Sequence, residues 1–341
     1  MPEFIFKEWD RRQKLKILLI GDFSDNYDEG LKNVAKNFLK TLSQNNEVTK
    51  INIKDFSLKK VFLDKNDYEI IHYFTAPTAA SLLLLKILSL KFHAKTVISA
   101  LHPDFSSILK NKYSRKIFQF FLKTDIILYQ SKKEIFDDLS KKTIFFPNGV
   151  DVKKFQPVSK EDKIFLRRKY GIKDEFTVLH VGHIYKKRNL EIFSEIQKIE
   201  KTQVVLVGGD YLEIDNKLRN HLENNGCFVI TDYLQQIEEI YAIADCYVFP
   251  VLWGNTICMP LSILEALSLN LPVIALNDYQ FPPELNKSIF FVKNTKEITS
   301  AVEKLKNNLE NGFDPASKDK MLEYSWKNLT LKLENVYKSL L

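Results

Sequence analysis

The chain has 341 residues, 45% hydrophobic and 27% charged, with 50 Lys+Arg against 43 Asp+Glu. At roughly 100–200 residues per domain, that length predicts two domains, each with its own core. The apolar content excludes a disordered tail, and ten Gly and eleven Pro exclude collagen-like or low-complexity architecture. Three cysteines (Cys227, Cys246, Cys258) without a CxxC pair exclude a disulfide framework and read as buried thiols of a reducing compartment.

The formal net charge of +7 is unevenly placed. Residues 1–157 hold 27 Lys+Arg and 18 Asp+Glu, whereas residues 158–341 hold 23 and 25. The positive excess therefore sits in the first half, where nucleic acid, an anionic membrane face and an anionic substrate are the candidate partners. Residues 1–12 carry Glu3, Glu8 and Asp10 with no apolar run before a cleavage site, so no secretory signal is expected. The most apolar stretch, 76–90, is interrupted by Lys86 and falls short of the roughly 20 residues that span a bilayer. A cytoplasmic protein, soluble or peripheral on the membrane face, is expected.

In chain order, 15–20 (LKILLI) reads as a first strand ended by Gly21-Asp22. Residues 30–42 place Leu31, Val34, Ala35, Phe38, Leu39 and Leu42 on one helical face. Strands are predicted at 48–53, 68–74, 96–100 and 125–129, with an apolar helix at 79–90 and a basic, aromatic helix at 111–122. Asn148-Gly149-Val150-Asp151 reads as a turn, after which the alternation restarts. Strands are then predicted at 177–181, 204–207, 227–230, 246–250 and 272–275, with helices at 189–199, 237–244 and 262–267. Such alternation implies α/β units with mainly parallel sheets covered by helices on both faces, joined near 148–158. Ligands of such sheets bind outside the carboxyl ends of the strands, so the loops after Ile20, Ala100, Val181, Val207 and Pro250 are where a site is expected.

Two of these loops are rich in chemistry. From Pro250 to Leu267 a strand runs into a loop and a helix opens near Pro260-Leu261-Ser262. Pro suits a first helical turn, and free N–H groups there suit a phosphate. Glu265, about one turn inside, reads either as an acceptor of ribose hydroxyl protons or as an acid complementing the helix dipole. From Val181 to Asn189 (VGHIYKKRN), three cations follow a strand; they suit a diphosphate or form a solvated basic loop. Gly208-Gly209-Asp210 after VVLV is compatible with a tight turn alone. The sequence contains no zinc-ligand spacing, GxSxG elbow or Walker loop.

Together these motifs resemble the family 4 glycosyltransferases. The interdomain signature NGVDxxxFxP stands as Asn148-Gly149-Val150-Asp151, Phe155 and Pro157; the basic loop VGHIYKKRN, a VGG strand end at 207–209, and a block from Asp245 to Ala275 containing PLSILEA and LPVIA follow in order. Tyr324-Ser325-Trp326 and the segment after it resemble the family's closing element. The resemblance implies the GT-B fold, two Rossmann-like parallel-sheet domains facing a cleft: an acceptor-side domain at 1–152, a nucleotide-sugar donor domain at 153–326, and a helix at 327–341 crossing back. It further implies a metal-independent, retaining glycosyltransferase with no obligatory cofactor, a UDP- or GDP-sugar as donor, and a glycan or lipid-linked acceptor.

Residue by residue, the resemblance assigns the donor site to Gly182, His183, Lys187, Arg188, Gly208, Tyr233, Leu234, Thr256, Pro260, Leu261, Ser262 and Glu265. Arg188 would grip phosphate, Glu265 the ribose, and Tyr233-Leu234 line the base. On the acceptor side it assigns Gly30, His102 and Asp104, with His102 hydrogen-bonding the sugar. The chain departs from the pattern where Ile257 stands in place of the first Glu of a Glu-x7-Glu pair, so donor handling differs and Thr256, Asn255 or loop backbone contribute instead. His183 and Asn189 also replace the usual Arg and Gly. A non-catalytic nucleotide-sugar-binding partner of another transferase and a nucleotide-sugar epimerase are the alternatives. Finally, the basic 110–123 segment, with Tyr113, Ile117, Phe120 and Phe121 near one face, reads either as a packed domain helix or as an amphipathic contact with an anionic leaflet; Phe4, Ile5, Phe6 and Trp9 are candidate additions to such a contact. No motif supports nucleic-acid binding.

Overall fold

The computed structural model describes residues 14–24, 30–55, 57, 65–74, 79–102, 111–121, 124–130, 140–208, 215–252, 256–276, 281–308 and 318–341. Among the described residues, twelve strands form two six-stranded sheets. The first contains β1 (Lys16–Gly21), β2 (Glu47–Asn52), β3 (Ile70–Tyr73), β4 (Lys95–Ala100), β5 (Thr124–Tyr129) and β6 (Ser140–Phe145) in the order β2-β1-β3-β4-β5-β6. The second contains β7 (Phe176–Val181), β8 (Thr202–Val207), β9 (Phe228–Ile230), β10 (Cys246–Phe249), β11 (Val273–Leu276) and β12 (Ile289–Val292) in the order β12-β11-β10-β7-β8-β9. Every pairing within both sheets is parallel. Parallel strands need helical crossovers that cover both faces, which is why the strand cores (LLI in β1, VVL in β8) are continuous apolar runs.

Among the described residues, the helices of the first domain are α1 (Gly30–Leu42), α2 (Ala79–Phe92) and α3 (Lys112–Phe121). Those of the second are α4 (Lys160–Lys169), α5 (Ile192–Ile196), α6 (Asn216–Asn224), α7 (Ile237–Ala242), α8 (Leu261–Ser268), α9 (Pro283–Asn286), α10 (Lys296–Asn307) and α11 (Lys318–Glu323). The last helix, α12 (Trp326–Lys338), returns to the first sheet: Leu329, Leu333 and Tyr337 are buried in one cluster with Val34 and Phe38 of α1 and Ile17 and Leu19 of β1. Polar contacts fix its register. Thr330 meets Thr41 at 2.5 Å, Glu334 accepts from Asn46 at 2.7 Å, and the Tyr337 hydroxyl meets His72 Nδ1 at 2.5 Å. His72 Nε2 meets Ser99 Oγ at 2.8 Å, so this fully buried histidine is a core residue.

The junction is built from the NGVD segment. Val150 donates its amide to Tyr324 O at 2.9 Å and accepts from the Trp326 amide at 3.4 Å. A Cβ placed on Gly149 would lie 2.6 Å from Trp326 Cε3, so the indole occupies the space a side chain would need. The expected helix at 189–199 is shorter than its apolar pattern: Asn189 takes a left-handed conformation (φ 58°) and the helix runs only over Ile192–Ile196. The edge strands β6 and β12 and helices α4, α6, α9, α10 and α11 are additions to the sequence reading; β6 shows no clean alternation because the successive residues Lys141 and Lys142, on opposite faces, are both exposed.

Candidate active site

Sheet order places the site. In the second domain β7 lies between β8 and β10, so the crevice at the carboxyl ends of β7 and β10 is where the strand order reverses. At the β7 exit the Gly182 amide donates to Val207 O at 2.8 Å. A Cβ on Gly182 would collide with the Arg188 guanidinium and lie 3.4 Å from His180 Nε2; the residue also has φ +155°, so glycine is required by space and by backbone. Lys186–Arg188 form one tight turn that ends at Asn189, whose side chain donates to Pro250 O at 3.0 Å and ties this loop to the β10 exit. Arg188 is buried with its guanidinium carbon 5.8 Å from the Tyr185 ring centroid, while Lys186 and Lys187 are exposed and His183 is half-buried. Gly208 closes the other side: a Cβ there would lie 2.6 Å from both Gly182 O and Ile184 Cγ1.

The β10 exit leads through half-buried Thr256 and buried Ile257, Cys258, Met259 and Pro260 into α8. Pro260 is the extended cap residue, followed by Leu261 and Ser262 in the first turn, where the amides lack intrahelical partners. Glu265 is the fifth residue of the helix, beyond its first turn, and its Oε2 accepts from the Tyr241 hydroxyl at 2.7 Å. The buried Tyr247 joins the two loops. Its hydroxyl donates to Val181 O at 3.2 Å, hydrogen-bonds the Ser262 side chain and feels the charges of Glu265 and Arg188. Burial pushes that phenol well above its usual range, so it stays neutral. Tyr233 follows β9 and is 74% exposed, so it does not pack in the core, and Leu234 is half-buried against the domain core.

The first domain meets this edge with two elements. Leu101, directly after β4, accepts the Cys258 amide at 2.8 Å, which puts half-buried His102 beside the loop that enters α8. Gly30, the first residue of α1, faces Ile257: a Cβ there would lie 2.9 Å from Ile257 Cδ1. Ile257 is thus an interdomain contact, and a carboxylate at this buried position would need its own partner. Buried Asn148 spans the junction, accepting from Gln130 at 2.7 Å and donating to Met259 O at 2.7 Å. Asp104, Gly209, Asn255 and the N-terminal Phe4, Ile5, Phe6 and Trp9 lie outside the described residues, as do the side chains of Ile117, Phe120 and Phe121. The structure therefore gathers Gly182, Arg188, Gly208, Ser262 and Glu265 around the ends of three neighbouring strands, β8, β7 and β10, with His102 and Gly30 opposite. Sequence reasoning missed Tyr241, Tyr247 and His180; the signal for His180 was a lone imidazole in the apolar strand FTVLHV, two residues before Gly182.

Two Rossmann-like parallel sheets, joined at a buried hinge and closed by a helix that returns to the first, define the GT-B class. A structure of Anabaena HepE with UDP and glucose superposes with a TM-score of 0.70 at 16% identity, covering 95% of this chain and 100% of that one. Residues 162–327, just under half of the chain, match the model of the glycosyl transferases group 1 family. An uncharacterised glycosyltransferase of Methanocaldococcus jannaschii is 28% identical over 234 residues, 61% of this chain and 55% of that protein. The sulfoquinovosyl transferase of Arabidopsis thaliana is 27% identical over 200 residues, 55% of this chain and 38% of its own length. The UDP-Gal:alpha-D-GlcNAc-diphosphoundecaprenol alpha-1,3-galactosyltransferase of Escherichia coli is 28% identical over 281 residues, 75% and 69% of the two chains. The chain thus spans about half, or less, of the first two relatives.

Proposed function

We propose that the chain is a retaining, metal-independent glycosyltransferase that moves a sugar from a nucleotide-diphosphate sugar, with UDP- and GDP-sugars the first candidates, to a lipid-linked or cell-surface glycan precursor. The observation that carries this reading is the Tyr247 hydroxyl, which links the β7 exit to the first turn of α8 and lies near both Arg188 and Glu265. A buried cation, a helix N-terminus and a carboxylate are thereby held at one switch point, the combination a ribose diphosphate needs.

In this reading Arg188 and Lys187, with the Leu261-Ser262 amides, stabilise the charge that develops as the bond from the anomeric carbon to the phosphate oxygen breaks. Gly182 and Gly208 let the backbone approach the ligand, Pro260 sets the start of the helix, and His183 and Thr256 flank the phosphates and sugar. Glu265 accepts from the ribose hydroxyls and Tyr233-Leu234 line the base. His102 hydrogen-bonds the transferred sugar, while Gly30 and Asp104 border the acceptor. The acceptor oxygen bonds the anomeric carbon and its proton passes to the leaving phosphate, so no protein base is needed. The division of labour is 1–152 for the acceptor, 153–326 for the donor and 327–341 as the returning helix.

An anionic cytoplasmic membrane face is the proposed peripheral contact of the first domain; nucleic acid is not a partner. Leu83, Leu90 and Tyr113 are 53%, 63% and 80% exposed on α2 and α3, beside exposed Lys86, Lys112 and Lys116. Among the described residues no helix is long and apolar enough to cross a membrane. The E. coli relative's name specifies a UDP-sugar and a lipid diphosphate acceptor, which directs the assay. A thermal-shift panel of UDP-, GDP- and ADP-sugars should show one sugar-specific rise, and transfer to diphospholipid acceptors should follow with that donor. Binding without transfer to any acceptor would instead identify a non-catalytic partner, the alternative that Ile257 raises.

A further inference from the structure

The fully buried His180 has no part in the reading so far. Its Nδ1 lies 2.9 Å from Val248 O, and because a carbonyl only accepts, Nδ1 carries the proton and Nε2 presents a lone pair. The ring packs among Phe193, Tyr247 and Phe249, with centroids 5.4, 6.2 and 5.9 Å away. Nε2 is buried with no hydrogen-bond partner among the described residues. An acceptor left unmet in such surroundings is costly, so a second role is expected of it.

Its neighbour supplies one. Seen from the missing Cβ of Gly182, His180 Nε2 is 3.4 Å away and Arg188 Cζ is 3.7 Å away. The imidazole acceptor and the guanidinium donors therefore flank the same bare glycine. Burial, followed by the Arg188 charge, pushes the His180 pKa down to about 3 and offsets the raising effect of its bond to Val248. The imidazole is thus neutral at ordinary pH and able to accept.

Resting on the proposed diphosphate role of Arg188, we propose that His180 is a positioning residue: its Nε2 accepts a hydrogen bond from the Arg188 guanidinium when a diphosphate is bound, fixing the plane in which that guanidinium meets the phosphate oxygens. A guanidinium grips phosphate through a rigid fork, so its orientation decides whether one or two bonds form. Gly182 belongs to the device because a side chain there would separate the two groups.

Calorimetric titration of the full chain with UDP and with uridine tests this; GDP and guanosine replace them if GDP binds more tightly. His180→Phe keeps the ring and removes the acceptor; it should weaken nucleotide-diphosphate binding about 10-fold, the order of one hydrogen bond to a charged group, and leave nucleoside binding unchanged. His180→Gln, whose carbonyl reaches the Nε2 position, should restore most of the affinity, whereas the shorter His180→Asn should not. This pair decides the matter should the Phe variant not fold. In an Arg188→Ala background, His180→Phe should add nothing. Equal losses for diphosphate and nucleoside, or additive effects of the two substitutions, would overturn the positioning role alone. Unchanged diphosphate affinity in Arg188→Ala would overturn the phosphate reading and the His180 proposal with it.

Discussion

Asn148→Asp changes one atom at a buried, doubly hydrogen-bonded point between the domains. The Asn148 side chain is 1% exposed, accepts from Gln130 Nε2 at 2.7 Å and donates from Nδ2 to Met259 O at 2.7 Å, across 111 positions of sequence. The substitution keeps the acceptor facing Gln130 but turns the donor into an oxygen facing a carbonyl oxygen. The lost bond and the stranded carbonyl cost about 1–3 kcal/mol, and an unpaired carboxylate in that position brings the total to roughly 3–5 kcal/mol at pH 7. Desolvation raises the folded-state pKa of the introduced carboxyl above its unfolded value of about 3.9. Below that value it is protonated in both states and can donate to Met259 O. The deficit against the native chain is therefore smallest near pH 4, grows as the pH rises, and levels off above the raised folded value. Urea midpoints of both proteins at pH 4.5 and pH 7 measure it, and Asn148→Ala supplies a comparator of about 2–3 kcal/mol that should not vary with pH. A deficit below about 1 kcal/mol at pH 7, or one equal at both pH values, would refute the proposition that this amide is oriented and essential to the junction.

Two other predictions concern the site and the core. Glu265→Gln retains an acceptor for the Tyr241 hydroxyl, so the unliganded melting temperature should match that of the native chain while donor affinity falls about 10-fold; unchanged affinity would reduce Glu265 to a packing partner of Tyr241. Burial holds both His72 and His180 down to about 3 from an ordinary 6.5, so the unfolded chain takes up protons first as the pH falls. Their contribution is complete above pH 6.5 and declines toward pH 3, each by up to about 1.4 kcal/mol per pH unit. Stability measured from pH 7 to pH 5 should fall and His72→Gln should flatten the slope; a flat native profile would show that the rings are hydrated.

Much of the architecture was legible because parallel sheets buried on both faces write themselves as apolar runs separated by helical periods. The 15–20, 204–207 and 272–275 runs mark β1, β8 and β11 within a residue or two. The edge strand β6 carries no such run: it reads SKKTIF, with Lys141 and Lys142 both exposed at the sheet border. For the site, glycines and cations at strand ends were visible by type and position. Tyr247 and His180 were not, because a buried polar side chain is distinguished from core packing only by what its polar atom meets. The Tyr247 hydroxyl meets Val181 and Ser262, and the latter is brought to it from 15 positions along the chain by the turn into α8. Ile257 shows the same limit from the other side. Its departure from the family pattern was plain, whereas its packing against Gly30 of the opposite domain depended on how the junction closes.

The uneven charge also acquires a physical distribution. Near the β1 exit Lys54 and buried Lys32 lie 2.9 and 3.5 Å from Asp22. Burial of Asp22 would raise its pKa, but hydrogen bonds from Ser24 and Lys54 and the Lys32 charge outweigh that effect and keep the carboxylate ionised far below its usual range. These two cations are thus committed to a structural carboxylate, and Lys141 is likewise paired with Asp125 at 2.9 Å. Lys86, Lys112 and Lys116 instead lie exposed on α2 and α3 beside Leu83, Leu90 and Tyr113. Exposed charges are screened within about 8–10 Å at physiological salt, so these cations would act on what is brought close to them. The proposed anionic leaflet would meet both the charge and the exposed apolar side chains of these helices.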